Sequence, residues 1–413
     1  MRDVTVIGGG IVGLASAIAL QDDGHAVEII ERERPGAGAT FGNCGLLAVG
    51  EVVPISKPGV VRKIPGWLRD PEGPLFVRPR ALVRELPWLL RFLWAGRPRR
   101  VVEAARILAS LTRHAEADYR ALLGRAGLSD NLVPAENLIV FHSRDDYERD
   151  RFTWDLRSSL GFSHAFLTGG EVRALEPALG GPITCGALLT GWHQFSDPFM
   201  MAQRLAAYFQ ARGGVIRMSA VEGIETAAGK ASAVRLADGE RLPVRRVVLA
   251  AGAWSRPLAR GLGLRVPLAA LQGYHHHVLA PGVSLGRPVL YGNGGFVVTP
   301  METGLRIAGT IEVAGADPRP NLARADIIAR KAAQILPGLD LSGGTQWMGP
   351  RPFMPDSLPV LGAAPGHSNV VLAYGHGQVG VTLAATTGRI VADLVAGRTP
   401  PVDLAPFRPD RFR

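Results

Sequence analysis

The chain has only two cysteines, Cys44 and Cys185, in 413 residues, and only four lysines, Lys57, Lys63, Lys230 and Lys331. Two distant cysteines exclude a disulfide framework, and neither has the clustered ligands of a zinc site, so no metal is expected. Their scarcity fits a reducing compartment, and a cytoplasmic location is expected. Long apolar runs are also lacking. The uncharged stretch Val4 to Leu20 holds Gly8-Gly9-Gly10 at its middle, follows Asp3, and lacks a positive flank and cleavage pattern. Nothing else reaches the ~18 consecutive apolar residues of a membrane span. The lysine shortage also recasts the charge. Lys and Arg total 46 against 36 Asp and Glu, a net charge of +10 carried almost wholly by arginine. A basic balance raises polyanions as partners, but arginine bias in a Gly- and Ala-rich chain explains it without them. No zinc knuckle or aromatic–basic RNA motif occurs, so nucleic acid is not an expected partner.

The sequence is 47% hydrophobic and 20% charged. It can bury a large core, and its length predicts roughly two domains. Val4-Thr5-Val6-Ile7 is a β-branched run ending at glycine, which predicts a buried parallel strand. Gly8-Gly9-Gly10-Ile11-Val12-Gly13 then matches GxGxxG. Leu14, Ala17, Ile18 and Leu20 continue an apolar helical face, and Gly24 ends it. Ala26 to Ile30 predicts a second strand, with Glu31 and then Arg32 at its end. This is a complete dinucleotide-binding βαβ pattern. Gly8 permits the tight turn, Gly10 lets backbone approach a pyrophosphate, and Gly13 lets helix pack on strand. The helix start, at Ile11 and Val12, offers N–H groups and positive dipole to phosphates. Glu31 suits ribose hydroxyls and repels a 2′-phosphate, which argues against NADP. The pattern alone does not separate FAD from NAD.

Gly38-Ala39-Thr40-Phe41-Gly42-Asn43-Cys44-Gly45-Leu46-Leu47 is a small-residue loop after that strand. With the N-terminal pattern, it resembles the glycine and D-amino-acid oxidase superfamily of FAD-dependent oxidoreductases, most nearly the bacterial D-amino-acid dehydrogenases. The resemblance continues through Leu175-Glu176-Pro177, the strand into Ala251-Gly252-Ala253-Trp254, Gly349-Pro350-Arg351-Pro352, and Tyr374 to Thr382. It implies FAD as cofactor. It places Thr40, Asn43, Cys44, Gly45, Leu46 and Leu47 at the flavin or its diphosphate, and Val221 at the adenine. Ala251, Gly252 and Trp254 lie at the cofactor as well. Gly377, Gln378, Val379, Gly380, Val381 and Thr382 surround the pyrimidine edge, where a helix start would stabilise negative charge. The implied fold class is α/β: a Rossmann-like FAD-binding domain, discontinuous over 1–50, 190–262 and 345–413. A second α+β substrate domain, with an antiparallel sheet, uses 51–189 and 263–344. A single strand is expected over 215–221, and a helix over 101–128 is free to pack on either domain.

Oxidising an amino acid at its Cα–N bond asks the protein mainly to position the Cα–H and hold the carboxylate. An arginine is the best clamp. Arg351 stands between two prolines that stiffen its backbone, and the resemblance gives it that role, in contact with cofactor and substrate. Tyr274 either donates to the carboxylate or packs within the sheet. Tyr291 is a further pocket candidate. Glu312 either faces the amine or is a solvated strand-end acid. His376 is expected near flavin or substrate. His275-His276-His277 is read as structural, since a strand puts only two of the three on one face.

Arg78 to Arg106 contains eight arginines and two glutamates, a net +6 interleaved with Leu, Trp and Phe. Pro79, Pro87 and Pro98 are expected to break it into short helices. It reads either as a solvated amphipathic cover or as an interfacial segment at the inner face of an anionic membrane. The expected activity is oxidation of a D-amino acid or a cyclic amino acid such as D-proline or D-hydroxyproline, with electrons passing to a quinone or other acceptor. A glycine or sarcosine oxidase using oxygen, and a flavoprotein subunit of a larger complex, remain alternatives.

Overall fold

The computed structural model describes residues 2–315 and 319–412. Val4–Ile7 and Val27–Glu31 pair in parallel at the centre of a six-stranded sheet. Its order is Val215–Met218, Val27–Glu31, Val4–Ile7, Val247–Leu249, Val370–Tyr374 and Val360–Ala363. Only the last pair is antiparallel. The central strands are apolar on both faces because helices Ile11–Asp22 and Gly380–Ala396 cover one, while a small three-stranded antiparallel sheet and helix Ser255–Gly261 cover the other. Helix Ile11–Asp22 packs along Gly380–Ala396. Backbones meet there: a Cβ on Gly388 would lie 2.6 Å from the Ala15 carbonyl oxygen.

Helix Gly380–Ala396 belongs to the one stretch, Gly377–Ala396, that is long and apolar enough to cross a membrane among the described residues. Its apolar residues are instead mostly buried inside the fold. Helix Pro98–Arg125 lies on its other side, and Tyr119 Oη donates to the Val381 carbonyl. The long helix therefore sides with the six-stranded sheet. Asp197 caps helix Pro198–Ala211 by accepting from Phe199 N at 2.7 Å and Met200 N at 3.2 Å. The single strand expected over 215–221 is two. Val215–Met218 completes the six-stranded sheet, and Val221–Ala227 opens a three-stranded antiparallel one. Ser219 N donates to the Glu31 carbonyl as the chain leaves the sheet edge.

The second large sheet has nine strands. Its main path is Thr345–Phe353, Ala269–Val278, Gly304–Val313, Phe296–Met301, Val289–Tyr291, Asn137–Phe141, Cys185–Leu189 and His164–Thr168, with Leu75–Val77 beside Gly304–Val313. Helix Ala323–Ile335 covers one face. The other face meets the 38–47 loop and helix Pro79–Ala95. Thr345–Phe353, grouped by sequence with 345–413, pairs along its whole length with Ala269–Val278 in this sheet. The chain rejoins the six-stranded sheet at Val360.

Pro87 does not break its helix. Pro79–Ala95 runs through it as one 17-residue element. An interior proline forfeits one backbone hydrogen bond and bends the helix. Here Trp88, 6% exposed and stacked on Phe92, anchors the segment on the fold. Pro98 does begin a new helix.

Candidate active site

A cleft follows the carboxyl ends of the central parallel strands, where ligands bind in open α/β sheets. It is lined by Gly8, Gly10, Ile11, Val12, Glu31 and Arg32 from the first βαβ unit, and by Thr40 and Asn43 from the following loop. Val221, Ala251, Gly252 and Trp254 line it from the middle of the chain, and His376, Gly377, Gly380 and Val381 from the end. Residues more than 350 apart thus meet in one groove. The glycines differ in what they do. Gly8 has φ +106°, and a Cβ there would stand 2.5 Å from the Ala250 carbonyl oxygen. A Cβ on Gly13 would stand 1.9 Å from the Gly8 carbonyl oxygen, so Gly13 seats the helix on the strand turn. Gly10 is different: a Cβ there would meet nothing nearer than Thr40 Oγ1 at 3.7 Å. Its surroundings are open for something other than protein.

Gly10 caps helix Ile11–Asp22 without a side chain, and no acid stands in the first turn. Thr40 Oγ1 accepts from Ile11 N at 3.1 Å. Glu31 accepts from Gly9 N at 2.5 Å and Glu33 N at 3.1 Å, while burial pushes its carboxyl above the usual range. The Arg32 guanidinium lies 3.8 Å over the Trp254 ring. An uncapped helix start, an open glycine and a half-buried acid at the second strand end together fit the pyrophosphate and ribose of FAD.

The 38–47 loop is pinned from several directions. Gly45 N donates to Asn43 Oδ1 at 2.8 Å. Leu46–Leu47 pairs with His193–Phe195. Thr382 Oγ1 accepts from Ala48 N at 3.1 Å and reaches the Leu46 carbonyl at 3.3 Å, joining loop to C-terminal helix. Gln378 Nε2 donates to Glu51 Oε1 at 3.0 Å, and Val379 is buried beside them. Arg306, 3% exposed, donates to the Phe41 and Asn43 carbonyls at 2.9 and 2.7 Å and faces Asp197 at 3.5 Å. Sequence reasoning missed this residue. Its only signal was a charge in the middle of an apolar strand.

Alternation along Ala269–Val278 divides the remaining candidates. Leu271, Gly273, His275 and His277 share a face with their cross-strand partners Arg351, Gly349, Trp347 and Thr345. That face meets the loop: Phe41 lies 5.7 Å from both His275 and Trp347. Arg351 extends over Gly273, and its Nη1 donates to the Thr310 carbonyl at 2.8 Å. Thr310 holds φ +54°, at an irregularity in the strand pairing. Burial draws the Arg351 pKa down, and Cys44 opposes this. No carboxylate pairs with Arg351 among the described residues. Cys44 itself is half-buried; burial raises its pKa, and Arg351 and Arg306 pull the other way.

Tyr274 and Glu312 sit on the opposite face. Glu312 is fully buried, neither a solvated strand-end acid nor turned to the loop. Its carboxylate accepts from Arg78 Nε at 2.6 Å and from Tyr274 Oη. Glu312 pairs with Gln272, which shares a face with Tyr274 two residues on, and a buried acid needs such partners. Tyr291 also turns away, packing into the core under helix Ala323–Ile335 and bonding His142. His376 lines the nucleotide cleft, but its Nε2 meets Thr387 Oγ1 at 3.0 Å, and burial lowers its pKa to about 4. His275 stacks on Trp347, with its pKa lowered to about 2 by burial. Among the described residues no group of three His, Cys, Asp or Glu side chains is placed to hold a metal ion.

The sequence matches the DAO family, described as FAD dependent oxidoreductase, over residues 3–394. It is 35% identical to a protein named D-amino-acid oxidase from Bradyrhizobium diazoefficiens, over 100% of this chain and 99% of that one. It is 33% identical to a D-amino acid dehydrogenase from Paramagnetospirillum magneticum, over 99% and 98%. The fold is similar to that of glycine oxidase from Geobacillus kaustophilus, with a TM-score of 0.75 at 23% identity over 99% and 98%. The match over nearly the whole chain and the cleft at the strand ends agree: this protein belongs to the DAO family of FAD-dependent oxidoreductases, and FAD is its cofactor.

Proposed function

We propose that the protein oxidises the Cα–N bond of D-amino acids, with Arg351 gripping the substrate carboxylate. The observation that carries this is a part-buried guanidinium with no carboxylate partner among the described residues, on the sheet face that meets the 38–47 loop. An unpaired buried cation is costly and is relieved when an anion arrives. The Thr310 carbonyl accepts from Nη1 at 2.8 Å and the Gly309 carbonyl from Nη2 at 3.5 Å, which fixes the guanidinium and leaves its other N–H groups for a carboxylate. Relatives named D-amino acid dehydrogenase and D-amino-acid oxidase support the substrate class.

FAD, when bound, accepts the hydride that leaves the substrate Cα; the amine loses a proton and becomes an imine. Water then converts that imine to a 2-oxo acid and ammonia, while a cyclic substrate such as D-proline or D-hydroxyproline keeps a cyclic imine. The protein's own residues position and exclude water. Gly8, Gly10, Ile11 and Val12 would receive the diphosphate, with Gly13 seating the helix behind them, Glu31 would receive the ribose, and Val221 the adenine. Thr40, Asn43, Gly45, Leu46 and Leu47 would hold the ring system, and the start of helix Gly380–Ala396 would stabilise negative charge on it. That helix start lacks a side-chain cap and has no acid in its first turn, which suits negative charge.

A quinone or other non-oxygen acceptor takes the electrons in this reading, with helix Pro79–Ala95 meeting an anionic membrane. Val83 and Leu90 on that helix are 80% and 57% exposed between arginines, and Leu68 nearby is 52% exposed. Oxygen is the second reading, favoured by the Bradyrhizobium relative named an oxidase. A panel of D- and N-substituted amino acids, run with an artificial acceptor and in parallel with oxygen alone, tests both. Turnover of D-amino acids with the dye and little oxygen uptake supports the dehydrogenase; equal oxygen uptake supports the oxidase. Turnover of L-amino acids alone overturns the substrate class.

A further inference from the structure

We propose that the chamber between the Arg351 strand and helix Pro79–Ala95 receives a bulky, uncharged substrate side chain, so that aromatic and long aliphatic amino acids are preferred to alanine and to ionic ones. This rests on Arg351 holding the substrate carboxylate. The chamber is about 800 Å³, within the range of small-molecule sites. It adjoins the clamp: Arg351 is not in its wall, but Leu271, its cross-strand partner, and Phe353, two residues beyond it on the same face, both are. A ligand anchored by its carboxylate therefore extends its side chain there. Leu89 and Phe92 close one side, Ile139 and Leu290 the other.

The charges on the wall are already matched. Lys57 Nζ reaches Asp150 at 3.1 Å and Thr153 at 2.7 Å, and burial lowers its pKa. Arg157 pairs with Glu51, and Arg149 with Asp146. Lys63 stands exposed to solvent. Away from Lys63, whose charge stays in water at the exposed rim, an ionic side chain entering this space gives up water and finds every counter-charge already engaged. An apolar one gains about fourfold in affinity for each methylene it buries. The same matched pairs explain why a wall with so many charges still favours an uncharged guest.

The test uses the FAD-loaded enzyme with an artificial acceptor and four substrates: D-phenylalanine, D-leucine, D-alanine and D-aspartate. The expected kcat/KM for the first two exceeds that for the last two by about tenfold or more. Leu89→Trp, which fills the chamber from the helix side, is expected to lower kcat/KM for D-phenylalanine about tenfold and to leave D-alanine within about twofold. Leu290→Phe, from the opposite wall, is expected to act in the same direction. The proposal is overturned if D-alanine or D-aspartate is the best substrate, or if both variants leave the phenylalanine-to-alanine ratio unchanged. Yellow enzyme that oxidises none of the four overturns the carboxylate clamp as well, which separates that failure from the first.

Discussion

Arg351 lies flat across Gly273: a Cβ at position 273 would stand 2.3 Å from Arg351 Cζ and 2.6 Å from its Nε. The clamp therefore depends on a hydrogen atom where other residues carry carbon. Gly273→Ala is expected to push the guanidinium aside without emptying the FAD site. KM for the amino acid should rise about tenfold or more while the protein stays yellow. Steady-state kinetics with a flavin-to-protein ratio checks this, and an unchanged KM would mean that Arg351 works from some other position.

The three fingerprint glycines should fail in different ways. Gly13→Ala drives a methyl into the Gly8 carbonyl at 1.9 Å and is expected to destabilise the apoprotein itself. Gly10→Ala has 3.7 Å of room to Thr40 and should leave apoprotein melting nearly unchanged. Its methyl would occupy the approach to the diphosphate, so FAD affinity should fall about tenfold. Thermal melts of apoprotein and FAD titrations separate the two effects.

Arg306 holds the flavin loop by two carbonyls and also faces Asp197, the cap of helix Pro198–Ala211. Arg306→Ala takes the donor from both loop carbonyls and the cation from beside the buried Asp197. A loss of about 3 kcal/mol in stability is expected, together with weaker FAD binding. Chemical denaturation of apo and holo forms measures both.

Two buried histidines give a pH dependence of known sign. His376 and His275 stay neutral in the fold, with pKa values of about 4 and about 2, while in the unfolded chain they titrate near 6.5. As pH falls below 6.5, the unfolded state takes up protons that the folded state refuses, so stability drops by ~1 kcal/mol per pH unit for each histidine. The loss from His376 stops growing near pH 4. Melts from pH 7.5 to 4.5 should show this decline, and His376→Asn should flatten it.

What was legible in the sequence was local. The glycine pattern, Glu31 and the Asp197-Pro198 helix start each carry their meaning within about thirty residues, because strand, turn and cap are short-range devices. The flavin loop was legible only through resemblance. Glu312 and Tyr274 were not legible. The fate of Glu312 depends on Arg78, 234 residues away, and that of Tyr274 on a strand register that pairs it with Met348 and turns it to the sheet face away from Arg351. Thr345–Phe353 was grouped with the nucleotide half because its neighbours in sequence are there, whereas its hydrogen bonds go to Ala269–Val278. Pro87 misled for a related reason: its helix-breaking tendency is local, and the burial of Trp88 that outweighs it is tertiary.

The most direct test of the central claim is anaerobic mixing of the yellow holoenzyme with a D-amino acid, following loss of the flavin's visible absorbance. No electron acceptor is needed, so the readout reports only substrate binding and hydride loss. The account predicts bleaching of the wild type by D-phenylalanine, none by L-phenylalanine, and none by either in Arg351→Ala at the same concentration. Bleaching of Arg351→Ala at the wild-type rate, or bleaching by the L enantiomer alone, would contradict it.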